Sequence, residues 1–156
     1  MVVVAIVAVL AALAGPSFTP MIERWRVRQT AEALQSSIYL ARSEAIKRGG
    51  GITIDATGGW DQGWRVTHTQ GATTTPLQEV PAPNQVAFEQ KPDDTASTKL
   101  FVDRWGMVST TNNGAATTTN FLIYPTGKSE SPNAIRLCIS AGGRILQKAA
   151  GAACPA

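Results

Sequence analysis

The first 48 residues decide the fold of this chain, and they read MVVVAIVAVLAALA from Met1 to Ala14 and MIERWRVRQTAEALQSSIYLARSEAIKR from Met21 to Arg48. The first run contains no polar side chain, and Gly15, Pro16 and Pro20 separate it from the second run. A helix that crosses the hydrocarbon core of a bilayer needs about 20 apolar residues. Because this run is shorter and opens at residue 1 without a polar lead-in, we expect the start of the segment to be missing.

The apolar run has two interpretations. A buried core helix would suit its length, whereas a membrane or filament stem would suit its lack of a polar start and the helical pattern that follows. A cleavable signal peptide is not expected, because no basic residue precedes the run and helical sequence follows Gly15 and Pro16. We expect a stem over residues 1–20, with apolar side chains at Val2, Val3, Ile6, Val9, Leu10 and Leu13.

The second run has the pattern of an amphipathic helix over residues 21–48. Apolar or small residues recur in steps of three and four, which places them on one face of a helix, and Gly49 to Gly51 then end the helical pattern. A helix over most of residues 1–48 would be about 70 Å long, so its first half must be buried in something other than this domain. The apolar face consists of Val27, Ala31, Leu34, Ile38, Ala41 and Ala45, and Arg28, Glu32, Gln35 and Arg42 lie on the other side.

After the glycines, short runs of β-branched and aromatic residues alternate with turn-rich segments. No helix-length pattern separates these runs, so they predict antiparallel strands joined by hairpins and loops. The predicted fold class is α+β, with one long N-terminal helix packed on an antiparallel β-sheet domain. The globular domain would cover residues 21–156, with its β domain at 51–156. The polar segments 70–75 and 109–119 are expected to be exposed loops.

The net charge of +3 is unevenly distributed. Basic residues outnumber acidic ones in residues 1–48 and 128–156, and acidic residues outnumber basic ones between them. The sequence has no nucleophile, phosphate-loop or zinc pattern, and its single histidine, His68, has no second ligand at a metal-binding spacing. We therefore expect no catalytic residue, no cofactor and no metal, and hence no enzyme.

Three arginines follow the expected stem, at Arg24, Arg26 and Arg28. They could bind anionic lipid headgroups or nucleic acid, but we expect a solvated basic collar at the membrane-proximal end, with Trp25 suited to the interface. Trp60 and Trp64 also have two interpretations: they could stack on the bases of a nucleic acid, or they could pack inside the domain. We expect both tryptophans to cover the sheet and the end of the helix.

Four motifs occur in order along the chain: LARSEAIKR at 40–48, GWDQGWRV at 59–66, FLIYPTG at 121–127 and CISAGGR at 138–144. Together with the apolar N-terminus, they resemble the type IV pilins and type II secretion pseudopilins, and more closely the FimT/GspH family of minor pilins. The resemblance implies a pilin-like fold and a role as a filament component. The prepilin-peptidase site of that family and the glutamate after it are absent here.

The resemblance also implies a DNA-binding site. In the FimT branch, DNA capture during natural transformation is attributed to a C-terminal Gly-Arg-x-Arg motif, which is represented here by Gly143 and Arg144 but has Leu146 at the second arginine position. Cations on a small hairpin can contact several phosphates, which gives salt-sensitive binding without sequence preference. The alternative is a solvated charge cluster. The candidate DNA contacts are Arg144, Lys148, Arg136 and Lys128.

Cys138 and Cys154 flank a hairpin-like C-terminal stretch and lack the C-x-x-C spacing of redox or zinc sites. We expect them to form a disulfide, which requires an oxidising compartment. The resemblance thus implies a minor type IV pilin that binds DNA, with a minor pseudopilin of the type II secretion system as the alternative. The expected partners are other pilins or pseudopilins through the N-terminal helix, non-specific DNA, and the inner membrane before assembly. The expected location is the inner membrane, as a single-pass protein with a periplasmic domain, and then the cell surface in the pilus.

Overall fold

The computed structural model describes residues 2–4, 7, 18–91 and 97–155. Residues 2–4 and 7 are helical and exposed, including Val2 and Val3 of the expected stem. The stem residues Ile6, Val9, Leu10 and Leu13 lie outside the described part of the chain. Among the residues that the structure describes, no helix is long and apolar enough to cross a membrane.

One long helix, α1, runs from Thr19 to Arg48 and so begins two residues before the predicted start. Its predicted apolar face is confirmed, because all six of its residues are fully buried. The helix ends at Gly49, whose backbone has a φ of +80°. This left-handed conformation favours glycine over residues that carry a Cβ atom.

Nine strands follow the helix. They are β1 (Ile52–Asp55), β2 (Gly63–Gln70), β3 (Thr73–Pro81), β4 (Val86–Lys91), β5 (Lys99–Val102), β6 (Val108–Ser109), β7 (Thr119–Pro125), β8 (Ile135–Ile139) and β9 (Ile145–Ala149). A 3-10 turn at Trp60–Gln62 precedes β2. The strands form two sheets, with the orders β3-β2-β1-β5-β6 and β4-β7-β8-β9. Every strand pair is antiparallel.

The α+β architecture is as predicted, but the sequence missed β3 and did not show that the strands form two sheets. The segment 70–75 is not a loop: Gln70 pairs with Thr73 across a tight hairpin, and β3 continues to Pro81. This strand is largely exposed and contains Pro76 and Pro81. An edge strand pairs with one neighbour only, so it tolerates proline and does not need the apolar alternation that identifies a half-buried strand. Of the other expected loop, residues 111–115 are exposed, but Ser109 and Thr119 are buried strand residues.

The core lies between α1 and the two sheets. The helix face packs against buried side chains of both sheets, including Ile54 and Leu100 of the first and Phe121 and Leu137 of the second. The tryptophans pack as expected: Trp60 lies edge-on to Phe121, with ring centroids 4.8 Å apart. The indole N–H of Trp64 donates to the Ser37 hydroxyl of α1 at 2.9 Å. Because both indole rings are buried, neither is available for stacking on a base.

Candidate nucleic-acid interface

The candidate basic residues lie on and around the hairpin formed by β8 and β9. Arg136 pairs with Lys148 in the register of this hairpin, and Cys138 pairs with Leu146. Successive side chains of a strand point to opposite faces of a sheet. Leu137 and Ile139 are buried in the core, so Arg136, Cys138, Leu146 and Lys148 lie on the outer face. Two cations thus stand directly opposite each other there, with Leu146 beside them.

The hairpin turn holds Arg144 in place just before β9. The Ser140 backbone N–H donates to the Arg144 carbonyl at 2.9 Å, and the Gly143 N–H donates to the Ser140 carbonyl at 2.8 Å. The Arg144 N–H donates to the Ser140 hydroxyl at 3.0 Å. The Arg144 side chain is exposed, and its guanidinium forms no hydrogen bond or ion pair with any residue that the structure describes. It is therefore available to a ligand.

Arg42 of α1 connects this turn to the helix through hydrogen bonds. Its Nε donates to the Gly106 carbonyl at 2.8 Å, and its two terminal nitrogens donate to the carbonyls of Gly143 at 3.0 Å and Gly142 at 2.9 Å. A Cβ atom at Gly143 would overlap the Arg42 guanidinium, and Gly143 also has a φ of +74°. The backbone conformation thus favours glycine at this position, and a larger residue would also displace the Arg42 guanidinium from its carbonyls.

The sequence did not identify this role of Arg42. It places Arg42 on the polar side of α1, whereas the side chain is half-buried at the edge of the apolar face. The available signal was its position in the LARSEAIKR motif, next to the helix end. The three carbonyls that it binds are about 60 to 100 residues further along the chain, and a pattern in the helix alone does not indicate them.

Arg136 and Lys148 are partly engaged by the protein itself. The Arg136 Nε donates to the Ala150 carbonyl at 2.9 Å, and its Nη1 donates to the Asn120 side-chain oxygen at 2.8 Å. The Lys148 ammonium donates to the Ala153 carbonyl at 2.9 Å. All of these acceptors are neutral, so the positive charges on the outer face are not cancelled.

Lys128 lies apart from the other three candidates. Its ammonium forms an ion pair with Glu23 near the start of α1, at 2.5 Å. Asn133, in the same loop region, donates to the carbonyl of Pro20 at 3.3 Å. The structure therefore places Arg136, Arg144 and Lys148 on and next to one hairpin. It places Lys128 in a separate loop near the start of α1, where its charge is paired with Glu23.

A disulfide joins Cys138 to Cys154, 16 residues further along, in agreement with the sequence prediction. It fastens the C-terminal segment across the outer face of β8 and β9, where Arg136 and Lys148 bind carbonyls of the same segment. A groove of about 370 Å³ remains beside it, and Arg144, Leu146, Cys154 and Pro155 are among its lining residues. No aspartate or glutamate is among those residues, so the groove is open to an anion.

The outer face of the first sheet has a different electrostatic character. Four residues that neighbour one another across adjacent strands alternate in charge, in the order Lys99, Asp55, Arg65 and Glu79. The Lys99 ammonium lies 3.0 Å from the Asp55 carboxylate. Partial burial raises the pKa of Asp55, but hydrogen bonds from Thr57 and Lys99 outweigh it and hold the pKa below its usual value. This face is therefore balanced in charge, and only the β8–β9 hairpin presents uncancelled cations on an outer sheet face in the described residues.

At the end of α1, a hydrogen bond from Arg48 lowers the pKa of Glu44. This carboxylate also lies 3.8 Å from the Lys47 ammonium. Among the described residues, no three histidine, cysteine or acidic side chains lie close enough together to hold a metal ion.

Comparisons with known proteins identify a family from the sequence and a fold from solved structures. The model of the family described as type II transport protein GspH matches residues 30–147. The crystal structure of the type IV minor pilin FimU of Pseudomonas aeruginosa superposes with a TM-score of 0.66 and 23% identity, covering 83% of this chain and 92% of that one. The minor pseudopilin EpsH from the type 2 secretion system of Vibrio cholerae superposes with a TM-score of 0.57 and 16% identity, covering 82% of this chain and 99% of that one. No curated protein sequence matches the chain.

Proposed function

Since the chain belongs to the GspH family of minor pilins and pseudopilins, we propose that it is a minor type IV pilin of the FimT kind that binds DNA through its basic C-terminal hairpin during DNA uptake. Membership of this family implies a filament component that assembles with other pilins or pseudopilins. The DNA-binding role goes beyond family membership and depends on the charges of the hairpin.

The observation that carries the proposal is the exposed Arg144 guanidinium on a turn fixed by Arg42. A guanidinium presents several donors in a fixed plane and suits phosphate oxygens. Because the turn is held by hydrogen bonds on both sides, little conformational freedom of the backbone is lost when Arg144 binds a ligand.

Lys148 supports the proposal although Leu146 occupies the second arginine position of the Gly-Arg-x-Arg pattern. Residues 144, 146 and 148 alternate with core-facing positions, so they project to the same outer side of the hairpin. At about 3.3 Å per residue, Arg144 and Lys148 are separated by about 13 Å along the strand. This distance corresponds to about four base-pair steps of DNA. Arg136, opposite Lys148, adds to the positive potential.

The second candidate function is that of a minor pseudopilin in a type II secretion system. Two findings favour it, namely the GspH family model and the structural likeness to EpsH. In that case the basic hairpin would contact a partner protein, and this chain would not bind DNA at physiological salt.

We further propose that the chain is anchored in the inner membrane before assembly and reaches the cell surface in the pilus. Exposed apolar side chains at the start of α1 support this placement, since Phe18, Met21, Ile22 and Trp25 are all uncovered by the domain. Such residues suit a membrane interface or contact with neighbouring helices.

Replacing Arg144 with alanine tests the DNA proposal. We expect affinity for a random-sequence duplex to fall about fivefold at low salt, and the slope of log K against log salt to drop by about one, because one phosphate contact is lost. Fluorescence anisotropy over a salt series measures both quantities. Lys128→Ala is the matched control, because its charge is paired with Glu23, and it should bind like the wild type. Equal binding by wild type and Arg144→Ala would refute the proposal, as would no binding by the wild type at low salt.

A further inference from the structure

A second basic site lies between α1 and the edge strand β9. It is a groove of about 600 Å³ whose lining includes Arg24 and Arg28 from the helix, Asn133 from the preceding loop, and Gln147 and Lys148 from the strand. No aspartate or glutamate is among the residues that line it. The groove is therefore suited to an anion rather than to a cation or a neutral apolar ligand.

The two arginines of the groove have no partner among the described residues. Arg24 and Arg28 stand four residues apart, which places them one above the other on the same side of α1, and both are exposed. Arg26 behaves differently, since it lies on another side of the helix and donates to the Gln85 side chain. The three arginines therefore do not share one environment, because Arg24 and Arg28 line the groove and Arg26 does not.

The neighbouring carboxylates do not neutralise this pair. Glu23 is held by the Lys128 ammonium at 2.5 Å. Glu32, one turn beyond Arg28, is exposed and forms no ion pair with any described residue. Lys148 contributes charge nearby, although its ammonium bonds to the Ala153 carbonyl. The groove therefore keeps at least two uncompensated guanidinium groups.

The walls of the groove are fixed by hydrogen bonds. The Asn133 amide donates to the Pro20 carbonyl at 3.3 Å, and the Gln147 amide donates to the Gln35 side-chain oxygen at 2.8 Å. Two guanidinium groups on a rigid helix beside amide groups provide several donors to a tetrahedral oxyanion. The phosphodiester of a phospholipid has two charged oxygens, and each can accept from one of the two guanidinium groups.

The position of the groove indicates the source of that phosphate. Phe18, Met21, Ile22 and Trp25 are 55%, 67%, 45% and 62% exposed. They form an apolar collar around the start of α1, from the residue before the helix to its second turn. At 1.5 Å per residue, Arg28 lies about 10 Å beyond Met21 along the helix. The headgroup layer on each side of a bilayer is about 5–8 Å thick. If these apolar residues lie at the edge of the hydrocarbon, Arg24 lies within the headgroup layer. Arg28 lies just outside it, and its long side chain can reach back to the lipid phosphates.

We propose that this groove binds the phosphate of an anionic phospholipid headgroup while the chain is in the membrane. The proposal rests on the membrane placement given above. It does not require DNA binding by Arg144, although Lys148 lines this groove and is also a candidate DNA contact. Arg144 belongs to a different surface, because its turn is fastened to Arg42, about 21 Å further along the helix than Arg28.

Nuclear magnetic resonance of the full chain in zwitterionic detergent micelles tests the proposal. Titration with phosphatidylglycerol should give saturable shifts of the Arg24 and Arg28 side-chain N–H signals and of the Asn133 and Gln147 amides, whereas phosphatidylcholine should give none. The double variant Arg24→Gln/Arg28→Gln should weaken this binding at least fivefold. Arg65→Gln/Arg104→Gln is the matched control, since it also removes two exposed arginines, and it should bind like the wild type.

Three results would overturn the headgroup proposal. The first is an absence of shifts with phosphatidylglycerol. The second is an equal response at the same concentration of inorganic phosphate, which would indicate a free-anion site. The third is a response of these residues to a DNA oligonucleotide that displaces the lipid, which would make the groove part of a nucleic-acid surface.

The membrane placement is tested separately in the same sample. A paramagnetic label on the lipid chains should broaden the signals of Phe18, Met21 and Trp25. If they are not broadened, the membrane placement is wrong. If they are broadened but phosphatidylglycerol causes no shifts in the groove, only the headgroup proposal is wrong.

Discussion

Replacing Arg42 with alanine is expected to lower the free energy of unfolding by about 2–4 kcal/mol and to loosen the turn that carries Arg144. The variant loses three hydrogen bonds from one charged group, to the carbonyls of Gly106, Gly142 and Gly143. Hydrogen bonds to charged groups contribute more than neutral ones, and the carbonyl of the buried Gly143 would be left without this donor. Urea unfolding followed by circular dichroism measures the change.

Two further variants show whether the loss comes from these contacts. Arg28→Ala removes an exposed arginine from the same helix and should stay within about 0.5 kcal/mol of the wild type. Arg42→Lys keeps the charge, but the lysine ammonium is not a planar guanidinium and cannot bind all three carbonyls at once. The stability of this variant should therefore be intermediate. An Arg42→Ala variant as stable as Arg28→Ala would show that the helix and the hairpin turn are joined by other contacts.

Loss of the disulfide is expected to destabilise the domain by about 3 kcal/mol. Cys138 and Cys154 close a loop across 16 residues, and in the chain-entropy model such a bond restricts the unfolded chain more than the folded one. A domain of this kind is stabilised by about 5–15 kcal/mol in total, so the loss is a large part of its stability. The C-terminal segment should also detach from Arg136 and Lys148, which bind its carbonyls.

Unfolding with and without a reducing agent measures this effect in the wild type and in Cys138→Ala/Cys154→Ala. The reductant should lower the unfolding midpoint of the wild type to about that of the double variant, and it should leave the variant unchanged. An unchanged wild-type midpoint after verified reduction of the bond would contradict the prediction.

The long helix was predictable from sequence because its signal is local. Six apolar or small residues repeat with the helical period, and their burial follows from that spacing alone. The paired runs after the glycines likewise indicated antiparallel strands. The sequence did not show that the strands divide into two sheets. The division arises because β4 pairs with β7 and not with β3. A strand's choice of partner depends on the whole core, which no short stretch of sequence specifies.

The candidate site was predictable to a similar extent. Gly142 and Gly143 indicated the turn and Arg144 its exposed end, since glycine pairs mark tight hairpins. The sequence did not show that Lys128 pairs with Glu23 or that Arg42 binds the turn. Both contacts join residues about 100 positions apart, so they arise from the packing of the helix against the second sheet.

Restoring the Gly-Arg-x-Arg pattern by Leu146→Arg tests the central claim most directly, because it adds the missing phosphate contact and removes none. Leu146 is half-buried on the outer face of β9, between Arg144 and Lys148 in sequence. We expect Leu146→Arg to bind a random-sequence duplex more tightly than the wild type and to increase the slope of log K against log salt by about one. Leu146→Gln is the matched control for loss of the leucine and should show no such increase.

The measurement is fluorescence anisotropy of DNA binding over a salt series, with the Cys138–Cys154 disulfide verified in each variant. A tighter, more salt-dependent complex for Leu146→Arg alone is the predicted result. The same affinity and the same salt slope for wild type, Leu146→Arg and Leu146→Gln would contradict the claim that this face of the hairpin binds DNA.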